Sequence, residues 1–160
     1  MVSFVIPVKD EEETIETLCA EILDVAAREK LEIEIVFVDD GSTDASWSRI
    51  AALAATDRRV RGIRLRRNCG KAAALAAGFA RAGGDPIVTL DADLQDDPRE
   101  TPRFLRLIDE GYDMVSGWKR TRYDPWHKVL PSRVFNRMVG RLTGLHLHDH
   151  VCGFKCCRAE

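Results

Sequence analysis

Short apolar runs alternate along this chain with segments of helical periodicity. The apolar runs predict five buried strands, at residues 2–8, 33–38, 60–65, 85–90 and 112–117. Between the strands, apolar residues recur at intervals of three and four, as they do on one face of an amphipathic helix. This stripe is clearest at Ile15, Leu18, Cys19, Ile22, Leu23 and Ala26. The pattern therefore predicts alternating strands and helices.

Local chemistry predicts where the helices begin and end. The acidic run 10–13 suits the positive N-terminal end of the first helix. Ser42 or Thr43 can cap the second helix, which is predicted to reach about residue 55. An alanine-rich third helix, 70–82, should pack closely and stop at the following glycines. Further helices are predicted at 98–110 and 132–143; residues 145–151 alternate, and 153–157 begin another strand.

Strand and helix alternation predicts one α/β domain, residues 1–160, with three α/β/α layers and a mostly parallel central sheet. Crossovers between parallel strands should be right-handed. Ligands of such sheets bind beyond the carboxyl ends of the strands, where the strand order switches. Polar clusters follow three of the predicted strands, at 7–11, 39–40 and 91–95. We therefore expect these clusters to meet at one edge of the sheet.

The composition of the chain mainly excludes classes of function and location. The 160 residues are 31% charged with a net charge of −2, so no general affinity for nucleic acid is expected. No signal peptide is predicted, and no apolar run approaches the roughly 18 residues of a membrane span. The five cysteines are odd in number and irregularly spaced, which favours a reducing compartment. The arginine-rich run 58–67 is either a solvated face or a surface beside an anionic substrate or membrane.

Two carboxylates, Asp91 and Asp93, follow the fourth predicted strand. In extended backbone, residues i and i+2 point to the same side, and Gln95 shares that register if the extended backbone persists. Converging carboxylates repel unless a cation lies between them. A hard divalent cation such as Mg²⁺ or Mn²⁺, completed by phosphate oxygens and water, suits such a pair. The alternative is an acidic loop that caps the helix starting near Pro98.

Four stretches are similar to the motifs of a known family, in the expected order. They are Val5-Ile6-Pro7-Val8-Lys9-Asp10-Glu11-Glu12, Val38-Asp39-Asp40-Gly41-Ser42-Thr43-Asp44, Asn68-Cys69-Gly70-Lys71 and Asp91-Ala92-Asp93-Leu94-Gln95-Asp96-Asp97-Pro98. With these stretches the sequence resembles the inverting glycosyltransferases of family 2, which have the GT-A fold. Residues 117–122, 130–133 and 149–155 carry a narrower likeness to the branch of dolichyl-phosphate mannose synthases and bactoprenol glucosyltransferases.

The resemblance implies a donor site for a nucleotide-diphosphate sugar. The residues implied to bind it are Pro7, Lys9, Glu11, Asp39, Asp40, Lys71 and Asp91. The residues implied to hold Mg²⁺ or Mn²⁺ are Asp91, Asp93 and Gln95, which places Asp93 among the catalytic residues. Lys71 also follows from physical chemistry, because a lysine and free N–H groups at a helix start suit an anion.

The resemblance also implies further residues that bind the nucleotide sugar, and one residue that meets the acceptor. Lys119, Arg122 and Arg133 are candidates for clamping the phosphates of the donor or of a lipid. Asp149 comes from the region that supplies the general base in relatives with hydroxyl acceptors. A lipid phosphate is already ionised near neutral pH, so Asp149 would then position the acceptor instead of deprotonating it.

The implied reaction is transfer of a hexose from a UDP- or GDP-linked sugar to a polyprenyl phosphate at the cytoplasmic face of the membrane. Members of that branch continue past this length, so we expect a chain that lacks the C-terminal part and its membrane-facing segments. Transfer to a sugar hydroxyl and an inactive nucleotide-sugar-binding fragment stay open as alternatives. A phosphatase of the Asp-x-Asp type is disfavoured. The nucleophilic aspartate of such a phosphatase follows the first strand, whereas the pair in this chain follows the fourth.

One further motif contains His146, His148, His150 and Cys152 at intervals of two. On an extended strand these side chains would share a face, which is a chemically plausible zinc site. The spacing is poor for a structural zinc finger, and the family resemblance implies no such metal. A plain, partly exposed strand is therefore the favoured interpretation.

Overall fold

A computed structural model describes residues 1–118 and 152–159. The strands are β1 (Val2–Val8), β2 (Ile33–Asp39), β3 (Val60–Arg64), β4 (Ile87–Thr89), β5 (Met114–Ser116) and β6 (Lys155–Cys157). The helices are α1 (Ile15–Glu29), α2 (Ser46–Thr56), α3 (Lys71–Phe79) and α4 (Thr101–Asp109), with a 3-10 turn, Pro98–Glu100, before α4. The predicted alternation of strand and helix is confirmed. The elements predicted at 132–143 and 145–151 lie outside the described residues.

The described strands form one sheet in the order β3-β2-β1-β4-β6-β5. β1 pairs in parallel with β2 and β4, and β2 pairs in parallel with β3. β6 runs antiparallel to both β4 and β5. The mostly parallel sheet predicted from the sequence is therefore confirmed. The insertion of β6 between β4 and β5 was not predicted.

Helices cover both faces of this sheet. Successive residues of β1 point to opposite faces, so Phe4 and Ile6 pack with α1, α2 and α4, whereas Val5 packs with α3. Gly78 lets α3 lie directly on the sheet, because a Cβ there would overlap Val5 and stand 3.1 Å from a methyl carbon of Val38. The close packing predicted for the alanine-rich helix is observed.

The first two helices begin later than predicted. Asp10 has a φ of +55°, which a helix does not allow, and α1 begins only at Ile15. Ser42 and Thr43 do not cap α2, which begins at Ser46. They bond to Asp10 instead: its N–H donates to Ser42 Oγ over 3.0 Å, and its carboxylate accepts the Thr43 N–H over 2.7 Å. The predicted cap residues therefore join two loops at the sheet edge.

Two further findings concern the described part of the chain. Within it, no helix is both long and apolar enough to cross a bilayer. All five cysteines lie in it, and none of them forms a disulfide. Burial raises the pKa of Cys19 to about 11 and that of Cys156 to about 12, so both thiols stay protonated and unreactive at neutral pH.

Candidate functional site

A cavity of about 360 Å³ lies at the carboxyl ends of the parallel strands. Its wall is built by the segments that follow β1, β2, β3 and β4, because these strand ends share one edge of the sheet. The predicted site residues on this wall are Pro7, Lys9, Glu11, Asp40, Lys71, Asp91 and Asp93. The three polar clusters expected to meet at the sheet edge therefore do meet, at the place where open α/β sheets bind ligands.

Asp40 connects the end of β2 to the start of α3. It is only 4% exposed, and its two carboxylate oxygens accept the N–H groups of Cys69 over 2.7 Å and Gly70 over 2.9 Å. Beside it, Gly41 has a φ of +69°, and a Cβ there would stand 2.6 Å from the carbonyl carbon of Arg67. A buried carboxylate, and a glycine beside which a side chain would clash with the Arg67 backbone, thus hold the loop before α3 against β2.

Asp39, the last residue of β2, points away from the cavity. It is fully buried; one carboxylate oxygen accepts the Ser42 N–H over 2.8 Å, and the other lies 3.3 Å from Arg64 Nε. The Arg64 guanidinium lies in turn over Trp47, with its Cζ 5.6 Å from the ring centroid. Of the two adjacent aspartates, Asp40 faces the cavity and Asp39 faces the junction of β2, β3 and α2.

Lys9 ties the loop after β1 to the loop after β2. Its ammonium donates to the Gly41 carbonyl over 2.9 Å and lies 3.0 Å from Asp10 Oδ2. The pKa of Asp10 lies below its usual range, first because the Thr43 N–H donates to its carboxylate and then because Lys9 is beside it. The Lys9 charge is therefore already compensated by the Gly41 carbonyl and the Asp10 carboxylate, although its side chain lines the cavity.

Helix α3 begins on the cavity wall. Gly70, with a φ of +89°, precedes it, and the first N–H groups of any helix lack partners within that helix. The Lys71 ammonium forms an ion pair with Asp91 at the end of β4. The Lys71 side chain is half exposed, so the lysine predicted to bind an anion spans the cavity from α3 to β4.

The backbone turns after β4 instead of continuing in extended form. Leu94 has a left-handed φ of +59°, and Asp93 Oδ1 accepts the Gln95 N–H over 3.1 Å. Asp91 and Asp93 both line the cavity despite this turn. Gln95 lines a separate depression of about 590 Å³ beside α4 and β5. The condition for Gln95 to share the register of Asp91 and Asp93, an extended backbone through that residue, is therefore not met.

Negative charge accumulates on the cavity wall. Burial raises the pKa of Glu11 and the Asp93 carboxylate raises it further; the Thr14 hydroxyl opposes them, while Asp44 and Asp91 add smaller increases. These carboxylates are thus close enough to repel each other, which a bound cation relieves. Within residues 1–118 and 152–159, no group of three or more His, Cys, Asp or Glu residues is arranged to hold a metal. Asp91 and Asp93 line the same wall, and carboxylate oxygens are ligands of the type that Mg²⁺ and Mn²⁺ take together with water and phosphate oxygens.

Asn68 and Gly153 contact groups of the site but were not predicted as site residues. Asn68 lines the wall, and its Oδ1 accepts the Gly70 N–H over 3.0 Å. Gly153, just before β6, lies against the Asp91 carboxylate. Asn68 belongs to the motif stretch 68–71, so the family resemblance could have predicted it as a site residue. The Gly153 contact depends on the pairing of β6 with β4, which no local pattern indicates.

The remaining predicted residues cannot be placed at the cavity. The predicted phosphate-binding residues Lys119, Arg122 and Arg133 lie outside the described residues. The same holds for Asp149 and for His146, His148 and His150. Their roles stay predictions. Cys152 is described: it is buried, and a Cβ at Gly117 would stand 3.1 Å from its Sγ.

Known proteins resemble this chain in sequence and in structure. The family model described as glycosyl transferase family 2 matches residues 3–160. The undecaprenyl-phosphate 4-deoxy-4-formamido-L-arabinose transferase of Aeromonas hydrophila is 38% identical over 159 residues, which are 99% of this chain and 49% of that protein. The chain thus spans about half the length of the curated relatives it matches.

Solved structures show the same fold. Glucosyl-3-phosphoglycerate synthase of Mycobacterium tuberculosis, in complex with Mn²⁺, uridine diphosphate and phosphoglyceric acid, matches with a TM-score of 0.77 at 22% identity, over 99% of this chain and 56% of that one. A mannosyltransferase of Pyrobaculum calidifontis, in complex with GDP-mannose and Mn²⁺, matches with a TM-score of 0.63 at 31% identity, over 74% of this chain and 35% of that one. The GT-A fold and the family, both expected from the motifs, are confirmed. The chain belongs to glycosyl transferase family 2.

Proposed function

We propose that this protein transfers a sugar from a UDP- or GDP-linked donor to a polyprenyl phosphate, with inversion at the anomeric carbon. The cavity is the observation that carries the proposal, because it brings Asp91 and Asp93 together with Lys71 and the start of α3. A cation and a diphosphate can be bound side by side there. The acceptor is supported by the Aeromonas relative, which is named for transfer to undecaprenyl phosphate.

On the donor side, Lys71 and the first N–H groups of α3 bind the diphosphate. Asp91 and Asp93 hold Mg²⁺ or Mn²⁺, an assignment supported by the Mn²⁺ found with uridine diphosphate or GDP-mannose in the two structural neighbours. We leave Gln95 out of this set, because it faces a separate depression. When bound, the cation neutralises the charge that develops on the leaving nucleoside diphosphate.

The rest of the wall is proposed to bind the nucleoside. Pro7 and Glu11 line it, and the Glu11 carboxylate is an acceptor that suits base N–H groups and ribose hydroxyls. Asp40 is assigned to holding the loop before α3, because both of its oxygens already accept backbone N–H groups. Lys9 is assigned to holding the loops, because its ammonium already lies between Gly41 and Asp10.

The proposed reaction is a single in-line displacement. A phosphate oxygen of the acceptor forms a bond to the anomeric carbon while the bond from that carbon to the diphosphate breaks, and the nucleoside diphosphate leaves with the electron pair. The acceptor oxygen needs no prior deprotonation, so we assign Asp149 to positioning and Lys119, Arg122 and Arg133 to pairing with phosphate. Because the acceptor is a lipid, we propose that the reaction takes place at the cytoplasmic face of a membrane.

Calorimetric titration with UDP- and GDP-sugars, with and without Mn²⁺, tests the donor half of the proposal. We expect one nucleotide class to bind and Mn²⁺ to tighten its binding, and Asp93→Asn to abolish the Mn²⁺ effect. Asp24→Asn is the matched control, because Asp24 is an exposed residue of α1 that pairs with Arg28 and should leave the affinity unchanged. If no nucleotide sugar binds, the proposed function is refuted.

Transfer of a labelled sugar to undecaprenyl phosphate tests the acceptor half. Labelled lipid product, absent with Asp93→Asn and normal with Asp24→Asn, supports the proposal. Product formed on a sugar hydroxyl but not on lipid phosphate would favour an enzyme of polysaccharide synthesis. Binding without any transfer would favour a nucleotide-sugar-binding fragment.

A further inference from the structure

The main chain just before β6 lies against the carboxylate of Asp91. A Cβ built on Gly153 would stand 2.5 Å from Cγ and 2.6 Å from Oδ1 of Asp91, closer than the 3.0 Å that real Cβ atoms keep. The φ of Gly153 is not among the positive values, so its backbone conformation is open to other residues. Space, and not conformational freedom, is therefore the physical reason for glycine at this position.

The main chain at this point is held by three other contacts. The Gly153 carbonyl accepts the Thr89 hydroxyl over 2.6 Å. Two residues later β6 joins the sheet, with Lys155 opposite Thr89. Between these points Phe154 is buried and stacks on Phe104 of α4, with ring centroids 4.4 Å apart. The segment is thus fixed to the sheet and the core independently of Asp91.

The carboxylate of Asp91 lies between two elements that are distant in sequence. Gly153 contacts it from the β6 side, and the Lys71 ammonium pairs with it from the α3 side. The side chain of Asp91 is 27% exposed, and it lines the cavity. Its orientation toward the cavity is therefore set by the backbone on one side and by an ammonium on the other.

We propose that Gly153 is a positioning residue for Asp91. The bare backbone at Gly153 sets the direction in which Asp91 meets the cation, and it couples the segment before β6 to the donor site. This inference rests on the proposed function, in which Asp91 holds Mg²⁺ or Mn²⁺.

The consequence of adding a methyl group at Gly153 follows from what can move. The main chain is fixed, whereas the Asp91 carboxylate is the end of a flexible side chain. The carboxylate therefore rotates away from the methyl group, and Gly153→Ala gives a folded protein with a misdirected metal ligand.

Titration with Mn²⁺ in the presence of UDP and of GDP, followed by the electron paramagnetic resonance of the free ion, tests this. We expect Gly153→Ala to weaken Mn²⁺ binding about 10-fold or more, as is typical when a group that orients a metal ligand is altered. Gly83→Ala is the matched control: its methyl would meet Glu34 Oε1 at 3.5 Å, an ordinary contact, so the affinity stays unchanged. Equal Mn²⁺ affinity in Gly153→Ala and the unaltered chain would overturn the proposal.

A double-variant cycle separates an effect through Asp91 from general damage to the fold. In the unaltered background, Gly153→Ala should lower the thermal midpoint by roughly 2–4 °C. In the Asp91→Ala background the atoms that the methyl group would meet are gone, so the second substitution should lower the midpoint no further. An equal loss in both backgrounds would show that Gly153 acts on the fold and not on Asp91, and would overturn the proposal.

Failure of the proposed function gives a different result. If the unaltered chain fails to bind Mn²⁺ both in the presence of UDP and in the presence of GDP, the proposed function and this inference are refuted together. An unaltered chain that binds both Mn²⁺ and a nucleotide, with no loss in Gly153→Ala, refutes the positioning role alone.

Discussion

Replacing Asp40 by alanine should destabilise the whole site, although Asp40 lies at the end of a strand and not in a helix or the apolar core. Its buried carboxylate accepts two backbone N–H groups, from Cys69 over 2.7 Å and from Gly70 over 2.9 Å. Asp40→Ala leaves the Cys69 N–H without its acceptor and the Gly70 N–H with Asn68 Oδ1 alone. The loop before α3 then loses the contact that holds it to β2.

The magnitude follows from the kind of hydrogen bond that is lost. A hydrogen bond to a charged group contributes about 1.5–3 kcal/mol net, so two of them set an upper range of about 3–6 kcal/mol. Asp40 lies on the cavity wall, where water can reach the exposed N–H groups and recover part of this loss. We therefore expect the free energy of unfolding to fall by about 3 kcal/mol, near the lower end of that range. For a chain of this size, this corresponds to a thermal midpoint lower by roughly 6–12 °C.

Urea denaturation followed by circular dichroism measures this loss directly. Asp24→Ala is the control, because it removes the same atoms from an exposed ion pair with Arg28 and should cost under about 0.5 kcal/mol. Nucleotide binding should weaken in Asp40→Ala as well, because the start of α3 and Lys71 are no longer held in place. If Asp40→Ala is as stable as Asp24→Ala, the assignment of Asp40 as the link between β2 and α3 is refuted.

Two further predictions concern charges at opposite edges of the sheet. Lys71→Met should tighten Mn²⁺ binding in the absence of nucleotide, because it removes the ammonium that pairs with Asp91, and weaken nucleotide binding in the presence of Mn²⁺. Calorimetry measures both, and weaker Mn²⁺ binding without nucleotide would contradict the prediction. Burial acts to raise the pKa of Glu34, but hydrogen bonds from the Ser3 hydroxyl and the Gly83 N–H, together with other contacts, outweigh it and hold the pKa below its ordinary value of 4.5. A lowered pKa stabilises the fold above the unfolded-state pKa and stops doing so as the pH falls through the folded-state pKa. Glu34→Gln should thus cost about 1 kcal/mol at neutral pH. Denaturant midpoints should show the difference from the unaltered chain shrinking below pH 4.5, and a constant difference would contradict this reasoning.

The parallel part of the sheet could be predicted from the sequence because burial on both faces makes its strands continuous apolar runs. Residues 33–38 are such a run, and β2 is buried along its whole length. The cavity could be predicted for a related reason: parallel strands place their carboxyl ends at one edge, so polar residues after each strand must meet there. No knowledge of side-chain contacts is needed for that step.

Contacts between distant segments could not be predicted in this way. β6 is three residues long, and its place between β4 and β5 depends on pairing with residues about 70 positions earlier in β4 and about 40 positions earlier in β5. The turn after Asp91 is another example. Leu94 is left-handed and the Asp93 carboxylate accepts the Gln95 N–H, and the spacing of the two aspartates fits this turn as well as it fits extended backbone. The prediction that Ser42 or Thr43 caps α2 failed because hydroxyls that can cap a helix can also bond a neighbouring loop. Both hydroxyls bond to Asp10 instead.

The acidic residues at the strand ends have two different roles, and their hydrogen-bond partners distinguish them. Asp10 and Asp40 accept backbone N–H groups from neighbouring loops, so their charge is compensated by the backbone that they hold in place. Asp91 is paired instead with a half-exposed lysine, and Asp93 with an N–H of its own turn. A lysine side chain can move aside for a divalent cation, whereas a backbone N–H cannot leave the loop to which it belongs. Asp10 and Asp40 therefore support the cavity, and Asp91 and Asp93 are left to meet the cation and diphosphate in the function we propose.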